Sequence, residues 1–172
     1  MSLFLAVWPD EQSIERLGGL ARPPRPGVRW TDPGHWHVTL AFLGRADPRA
    51  ALAALDRMGP GAPVAEVALG PVTRLLNRTV LVVPASGLDG LAASARTACA
   101  DAGLELEDRP FRGHLTLARG RRPGDLAGLG GERVSAGFPV NGVDLVESTT
   151  VPGGGPNRYD VRGRRLLGPP RV

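Results

Sequence analysis

His37-Val-Thr-Leu40 and His114-Leu-Thr-Leu117 share one pattern, in which a histidine is followed by an apolar residue, a threonine and a leucine. The 172-residue chain contains only 3 histidines and 8 threonines. The chance that two of these histidines have a threonine two positions later is well under about 1%. The two tetrapeptides are therefore the segments on which the prediction of fold and function is built.

Each tetrapeptide has the composition of a β-strand, in which residues i and i+2 point to the same face. His37 then shares a face with Thr39, and His114 shares a face with Thr116. Two such strands side by side place two imidazoles and two hydroxyls around one small cavity. One imidazole can be neutral while the other is protonated near pH 7, and hydroxyls can donate to phosphate oxygens. The pattern therefore predicts acid–base chemistry on a phosphate ester.

The same alternation places Val38, Leu40 and Phe42 on the opposite face of their strand, so we expect all three in the core. Arg119 lies five residues after His114, and regular alternation turns it away from the histidine face. It reaches the phosphate only if the strand bulges; otherwise we expect a surface ion pair.

Four further residues flank the motifs. His35 has no threonine two positions later, so we expect a structural or peripheral role for it. Trp30, Trp36 and Phe111 can stack on a nucleobase, although ordinary packing is the favoured interpretation for each.

Strand and helix signals alternate along the whole chain. The predicted helices cover residues 10–20, 47–58 and 86–102. The predicted strands cover residues 2–8, 28–30, 35–43, 64–69, 72–83, 104–107, 114–118, 138–147 and 158–167. The order strand–helix–strand–strand–helix occurs about twice, with one histidine strand in each half. This predicts an α+β fold in which two interleaved, pseudo-symmetric lobes flank a central cleft, within a single domain spanning residues 1–172.

Composition limits the classes of protein that fit. Hydrophobic residues make up 42% of the chain, which is enough for a sizeable core, and no apolar run reaches the roughly 18 residues of a membrane span. The lone Cys99 cannot form an internal disulfide, and the N-terminal segment lacks the features of a signal peptide. We therefore expect a cytoplasmic protein without membrane association.

The net charge is +4, and all 21 basic residues are arginines. Arginine suits phosphate binding because its guanidinium group can donate two parallel hydrogen bonds. A coding bias towards arginine is the favoured explanation of the overall count, so each arginine must be argued from its own position.

The segments 30–44 and 109–119, which contain the two motifs, resemble the 2H phosphoesterase superfamily. Within it they are most similar to the RNA 2′,3′-cyclic phosphodiesterase branch, historically called 2′-5′ RNA ligases. Residues 3–9 are similar to the first strand of that branch, and residues 143–148, followed by Tyr159, are similar to its C-terminal part.

The resemblance implies a bilobal α+β fold that needs no metal or other cofactor. It implies hydrolysis of a terminal 2′,3′-cyclic phosphate to a 2′-phosphomonoester, with weak 2′-5′ RNA ligation in some members. His37 and His114 take the positions of the catalytic histidines, and Thr39 and Thr116 those of the phosphate-binding threonines, with Arg119 as a further substrate contact. We assign His114 as general base and His37 as general acid. The expected partners are RNA ends or nucleotides bearing a 2′,3′-cyclic phosphate, and we expect a monomer.

Three alternatives remain open at this point. The first is a metallohydrolase that uses His35, His37 and His114 as ligands, although threonine is a poor ligand and no acidic residue has suitable spacing. The second is a module that binds RNA ends without turnover. The third is a phosphodiesterase whose substrates are small cyclic nucleotides or 2′-5′ oligoadenylates.

Overall fold

The computed structural model describes residues 1–59, 62 and 64–168. Within them the chain forms three α-helices, Glu11–Gly18 (α1), Pro48–Arg57 (α2) and Asp89–Asp101 (α3). It also forms ten strands, Ser2–Val7 (β1), Val28–Trp30 (β2), Val38–Gly44 (β3), Ala65–Leu69 (β4), Arg74–Asn77 (β5), Val80–Ser86 (β6), His114–Gly120 (β7), Ala136–Val140 (β8), Gly142–Thr149 (β9) and Arg158–Leu166 (β10).

The strands form a curled antiparallel sheet in the order β10-β9-β1-β3-β7-β6-β4-β8, with β2 paired to β7 and β5 paired to β6. The two motif strands meet at its centre, where Val38 of β3 pairs with Leu115 of β7. Each of these residues directly follows a motif histidine. On the outer sides, β1 pairs with β3 and β6 pairs with β7. The predicted α+β fold class is confirmed, and the single domain remains a prediction.

The helices form because their apolar residues recur at helical spacing, and the first turns of α1 and α2 are capped by side chains. The Asp10 carboxylate accepts the Ser13 N–H at the start of α1 at 2.9 Å, and Asp47 caps α2, where Pro48 occupies the first position. The buried faces of α2 and α3 contact each other and belong to the main apolar core. Among the described residues, no helix combines the length and the apolarity needed to cross a bilayer.

In the structure, two of the predicted strands are each divided in two and a third is absent. Residues 72–83, predicted as one strand, contain the hairpin β5–β6, because Asn77 turns the chain. Its side-chain oxygen accepts hydrogen bonds from the backbone N–H and the hydroxyl of Thr79 at 2.8 and 3.0 Å. Residues 138–147 contain the end of β8 and the start of β9, and residues 104–107 form no strand.

The first motif strand begins later than predicted, at Val38 rather than at His35. Asp32 accepts the backbone N–H of Gly34 at 2.8 Å and starts a short 3₁₀ turn over Pro33–His35. His35 therefore lies in this turn, and His37 stands directly before the strand.

A β-bulge interrupts the alternation of β3. Neighbouring residues of β1 face Thr39 and Ala41, so Leu40 between them has no partner of its own. Leu40 and Ala41 are consequently both buried, whereas Phe42 is 61% exposed. The predicted core position of Phe42 is wrong, because the bulge turns this ring to the face that carries Thr39.

The second motif strand has a bulge at the equivalent position. Neighbouring residues of β6 face Thr116 and Ala118, which leaves Leu117 as the extra residue. Leu117 and Ala118 are both buried, and Arg119 is exposed. Arg119 therefore lies on the same face as Thr116, which is the condition under which the sequence predicts that it reaches the site.

Candidate active site

The five residues predicted for the site, His37, Thr39, His114, Thr116 and Arg119, all line one cavity. The first two belong to the segment at the start of β3, and the other three to β7. These segments are far apart in sequence, and the pairing of β3 with β7 at the centre of the sheet brings them together. Residues of other segments complete the wall: Ser2, Phe4, Thr31, His35, Phe42, Ser148, Asn157 and Tyr159.

Both motif histidines are held in the same way. The Nδ1 atom of His37 lies 2.7 Å from the carbonyl oxygen of His35, and the Nδ1 atom of His114 lies 2.7 Å from that of Arg112. A carbonyl oxygen can only accept a hydrogen bond, so each Nδ1 carries a hydrogen. The Nε2 atom of each ring is therefore the one that can take up or release a proton.

Gly113 fixes the start of β7. The backbone N–H of Ala85 donates to the Gly113 carbonyl at 2.9 Å. A Cβ atom on Gly113 would overlap the carbonyl oxygen of Ala85. Only glycine therefore lets the chain pass this close to β6 immediately before His114.

Aromatic rings surround His37. The ring of Phe4 stacks on it, with centroids 5.0 Å apart, and the rings of Trp8 and Tyr159 lie 5.4 Å away. His114 has no ring packed on it among the residues that the structure describes. The two histidines therefore share an orientation and differ in their surroundings.

Burial among these rings lowers the pKa of His37 below the ordinary 6.5, because the charged imidazolium is desolvated. The hydrogen bond to the carbonyl of His35 acts in the opposite direction, and the charges of His35, His114 and Arg119 lower the pKa further. His37 therefore releases its proton more readily than an exposed histidine does.

A buried aspartate holds Trp8 in place. The Trp8 indole Nε1–H donates to the Asp144 carboxylate at 3.0 Å, and Asp144 is only 2% exposed. Arg164 donates to both Asp144 oxygens, from Nε at 2.7 Å and Nη2 at 2.8 Å. Because its hydrogen-bonding capacity is largely satisfied, the buried carboxylate is tolerated, and it positions the ring that packs against His37.

Sequence reasoning did not place His35 and Tyr159 in the site. The His35 ring lies 4.8 Å from that of Tyr159, and both line the cavity. A signal for Tyr159 existed, because it is the only tyrosine of the chain and follows the C-terminal segment that resembles the family.

The other flanking aromatic residues lie outside the cavity wall. Trp36 is 1% exposed and Phe111 packs against the core. The Trp30 indole donates to the carbonyl of Pro23 at 2.9 Å. Packing therefore accounts for these three rings.

Metal coordination was one of the alternatives, with three histidines as ligands. Across residues 1–59, 62 and 64–168, no three side chains of His, Cys, Asp or Glu are grouped so that they could hold a metal ion.

Comparison with known proteins agrees with this fold. A family model described as LigT like Phosphoesterase matches residues 7–72. A crystal structure of TT0787 of Thermus thermophilus has a TM-score of 0.75 and 26% identity, over 97% of this chain and 98% of that one. Escherichia coli LigT complexed with 3′-AMP has a TM-score of 0.71 and 25% identity, over 96% and 97%. The chain is therefore similar to the LigT-like phosphoesterases, in fold over nearly its whole length and in sequence over residues 7–72.

One curated relative is more specific in name. The chain is 30% identical over 118 residues to an RNA 2′,3′-cyclic phosphodiesterase of Geobacillus stearothermophilus. The match covers 63% of this chain and 38% of the relative. The chain therefore spans well under half the length of the curated relative that it matches.

Proposed function

We propose that the protein is an RNA 2′,3′-cyclic phosphodiesterase, which hydrolyses a terminal 2′,3′-cyclic phosphate to a 2′-phosphomonoester. One observation carries the proposal: two histidines with matching Nδ1 hydrogen bonds line one cavity together with two threonines and an arginine. The name of the curated relative and the nucleotide complex of LigT support the same class of substrate.

The reaction is an in-line displacement at phosphorus. The neutral His114 removes a proton from water as the water oxygen attacks phosphorus. The bond from phosphorus to the ribose 3′-oxygen breaks, and the imidazolium of His37 protonates that oxygen. The lowered pKa of His37 makes its imidazolium a stronger acid, and the negative phosphate beside it favours the protonated form.

Thr39, Thr116 and Arg119 bind the non-bridging oxygens, where negative charge accumulates during attack. Hydroxyl and guanidinium donors placed before the reaction stabilise this charge without reorganisation. The bulge of β7 is essential to this part of the proposal because it brings Arg119 to the face of Thr116.

The first test uses an oligonucleotide with a 2′,3′-cyclic phosphate end, in excess chelator. We expect a 2′-phosphate product. We expect His37→Ala and His114→Ala each to reduce kcat by about 10²- to 10⁴-fold, and the double variant to lose little more than either single variant. Normal turnover by either single variant contradicts the proposal. Loss of activity in chelator favours the alternative of a metallohydrolase. Binding without turnover by the wild type identifies an RNA-end-binding module.

A second substrate assigns the two roles. When sulfur replaces the 3′-oxygen, the leaving thiolate needs no general acid, because thiols are far more acidic than alcohols. His37→Ala should then lose much less activity on the sulfur substrate than on the oxygen substrate, while His114→Ala loses as much on both. The opposite result exchanges the two roles. A screen of small cyclic nucleotides and 2′-5′ oligoadenylates under the same conditions tests the alternative substrate classes.

A further inference from the structure

Two arginines stand directly opposite each other at the edge of the cavity. Arg29 of β2 pairs with Arg119 of β7 in the antiparallel ladder, and both are exposed. Residues directly opposite on neighbouring antiparallel strands project to the same face. Arg29 therefore extends the positive side of the cavity beyond the residues that line it.

Neither arginine of this pair forms an ion pair with a described residue. Within the part of the chain that the structure describes, ion pairs engage five other arginines, Arg96, Arg109, Arg158, Arg162 and Arg164, and neither Arg29 nor Arg119. Like charges directly opposite in a sheet destabilise it. A bound anion between the two guanidinium groups removes this repulsion.

A hydrogen bond holds the Arg29 side chain beside the site. Its Nη1 atom donates to the carbonyl of Gly155 at 3.3 Å, which leaves other guanidinium N–H groups available. Burial raises the pKa of Tyr159 in the cavity wall, and the charges of Arg119 and Arg29 act against this rise. The field of Arg29 therefore reaches the cavity, although its side chain stands outside the lining.

We propose that Arg29, next to Arg119, binds a second phosphate group on the 5′ side of the ribose that carries the cyclic phosphate. This inference rests on the proposed function. In a nucleotide whose cyclic phosphate occupies the histidine site, the nearest other phosphate is attached to the 5′-oxygen of the same ribose. A guanidinium group can bind it through two parallel hydrogen bonds. The phosphate is either the internal phosphodiester of an RNA chain or a free 5′-phosphate.

Three substrates test the inference: adenosine 2′,3′-cyclic phosphate, its 5′-phosphorylated form, and the dinucleotide ApA with a 2′,3′-cyclic phosphate end. For the wild type we expect kcat/KM to be at least about tenfold higher with a second phosphate than without one. In Arg29→Ala this ratio should fall close to one, and Arg29→Lys should retain part of it. Arg49→Ala, an exposed arginine of α2 outside the cavity, removes the same charge and should retain the full ratio.

The salt dependence of KM provides a second measurement. Removing one phosphate contact should reduce the slope of log KM against log salt for the dinucleotide by about 0.7 in Arg29→Ala. An advantage limited to the dinucleotide identifies the internal phosphodiester as the ligand, and one limited to the 5′-phosphorylated form identifies a free phosphate. A ratio that survives in Arg29→Ala, or a wild type with no preference, overturns the inference. Failure to hydrolyse any of the three substrates overturns the proposed function instead.

Discussion

The two histidine strands are built alike and surrounded differently. Each histidine is bonded through Nδ1 to a carbonyl two residues earlier, and each strand bulges three residues after its histidine. The side chain that each bulge turns towards the cavity is Phe42 in β3 and Arg119 in β7. The backbone therefore repeats, while the chemistry carried by the repeat does not.

The strands next to β3 and β7 also differ in the side chains that they place beside the cavity. Phe4 of β1 faces Phe42, whereas Val80 of β6 faces Arg119. His37 is consequently packed among aromatic rings, and His114 stands beside Pro84 at the start of β7. We infer that the half containing β3 adjusts the proton affinity of its histidine, and that the half containing β7 supplies positive charge.

Thr39 and Thr116 hold the same position in the two motifs, so substituting each one tests whether the two halves contribute equally. Thr39→Val and Thr116→Val each keep the branched shape and remove one hydroxyl donor. We expect each variant to reduce kcat on the cyclic-phosphate oligonucleotide by about 10²-fold, because each removes one donor to the developing charge. Thr97→Val, at an exposed position of α3, is the matched control. A large loss in only one of the two variants contradicts a symmetric role.

Phe42 and Arg119 hold the same position after the two bulges but differ in chemistry, so substituting them tests what this difference contributes. Arg119→Ala should reduce kcat/KM at least about tenfold, because it removes a charged donor, and Phe42→Ala should cause a smaller loss. In the Arg119→Ala background, Phe42→Arg should recover part of the lost activity, because it restores a guanidinium group on the other bulge. Equal losses in the two alanine variants would show that the bulge, and not the charge, carries the effect.

The bulges also mark the limit of what the sequence could predict. The matched His-x-Thr pattern was sufficient to predict two strands, a shared cavity and the face of each threonine. Strict alternation then predicted a core position for Phe42 and was wrong. Leu40 and Ala41 are both apolar, so either phase of the alternation fits them, and only the pairing with β1 decides between the two.

Two other features of the structure were not predicted, and only one of them had a clear signal in the sequence. Asn77 is a common turn residue, and its presence within residues 72–83 was sufficient to suggest a hairpin. The aromatic packing around His37 had no signal within the motif itself, because Trp8 and Tyr159 are brought to it by the order of strands in the sheet. Residue identity therefore predicted which groups meet in the cavity, and long-range pairing determined what surrounds them.

The smallest expected effect concerns the proton affinity of His37. NMR titration should give it a pKa below 6.5, because burial disfavours its charged form. Trp8→Ala should raise this pKa towards 6.5, because water then reaches the ring, and Asp144→Asn should raise it less, because Trp8 remains present but loses a charged hydrogen-bond acceptor.

The same shift in pKa has a consequence for stability. A histidine whose folded pKa is lowered contributes stability that is fully present above the unfolded pKa of 6.5 and is lost as pH falls towards the folded value. The unfolded chain binds the additional proton in this window, so acidification favours unfolding. Between pH 7.5 and pH 5.5, the Tm of the wild type should therefore fall more than that of His37→Gln, which cannot take up the proton. An equal fall in the two proteins would show that the aromatic rings do not lower the pKa of His37.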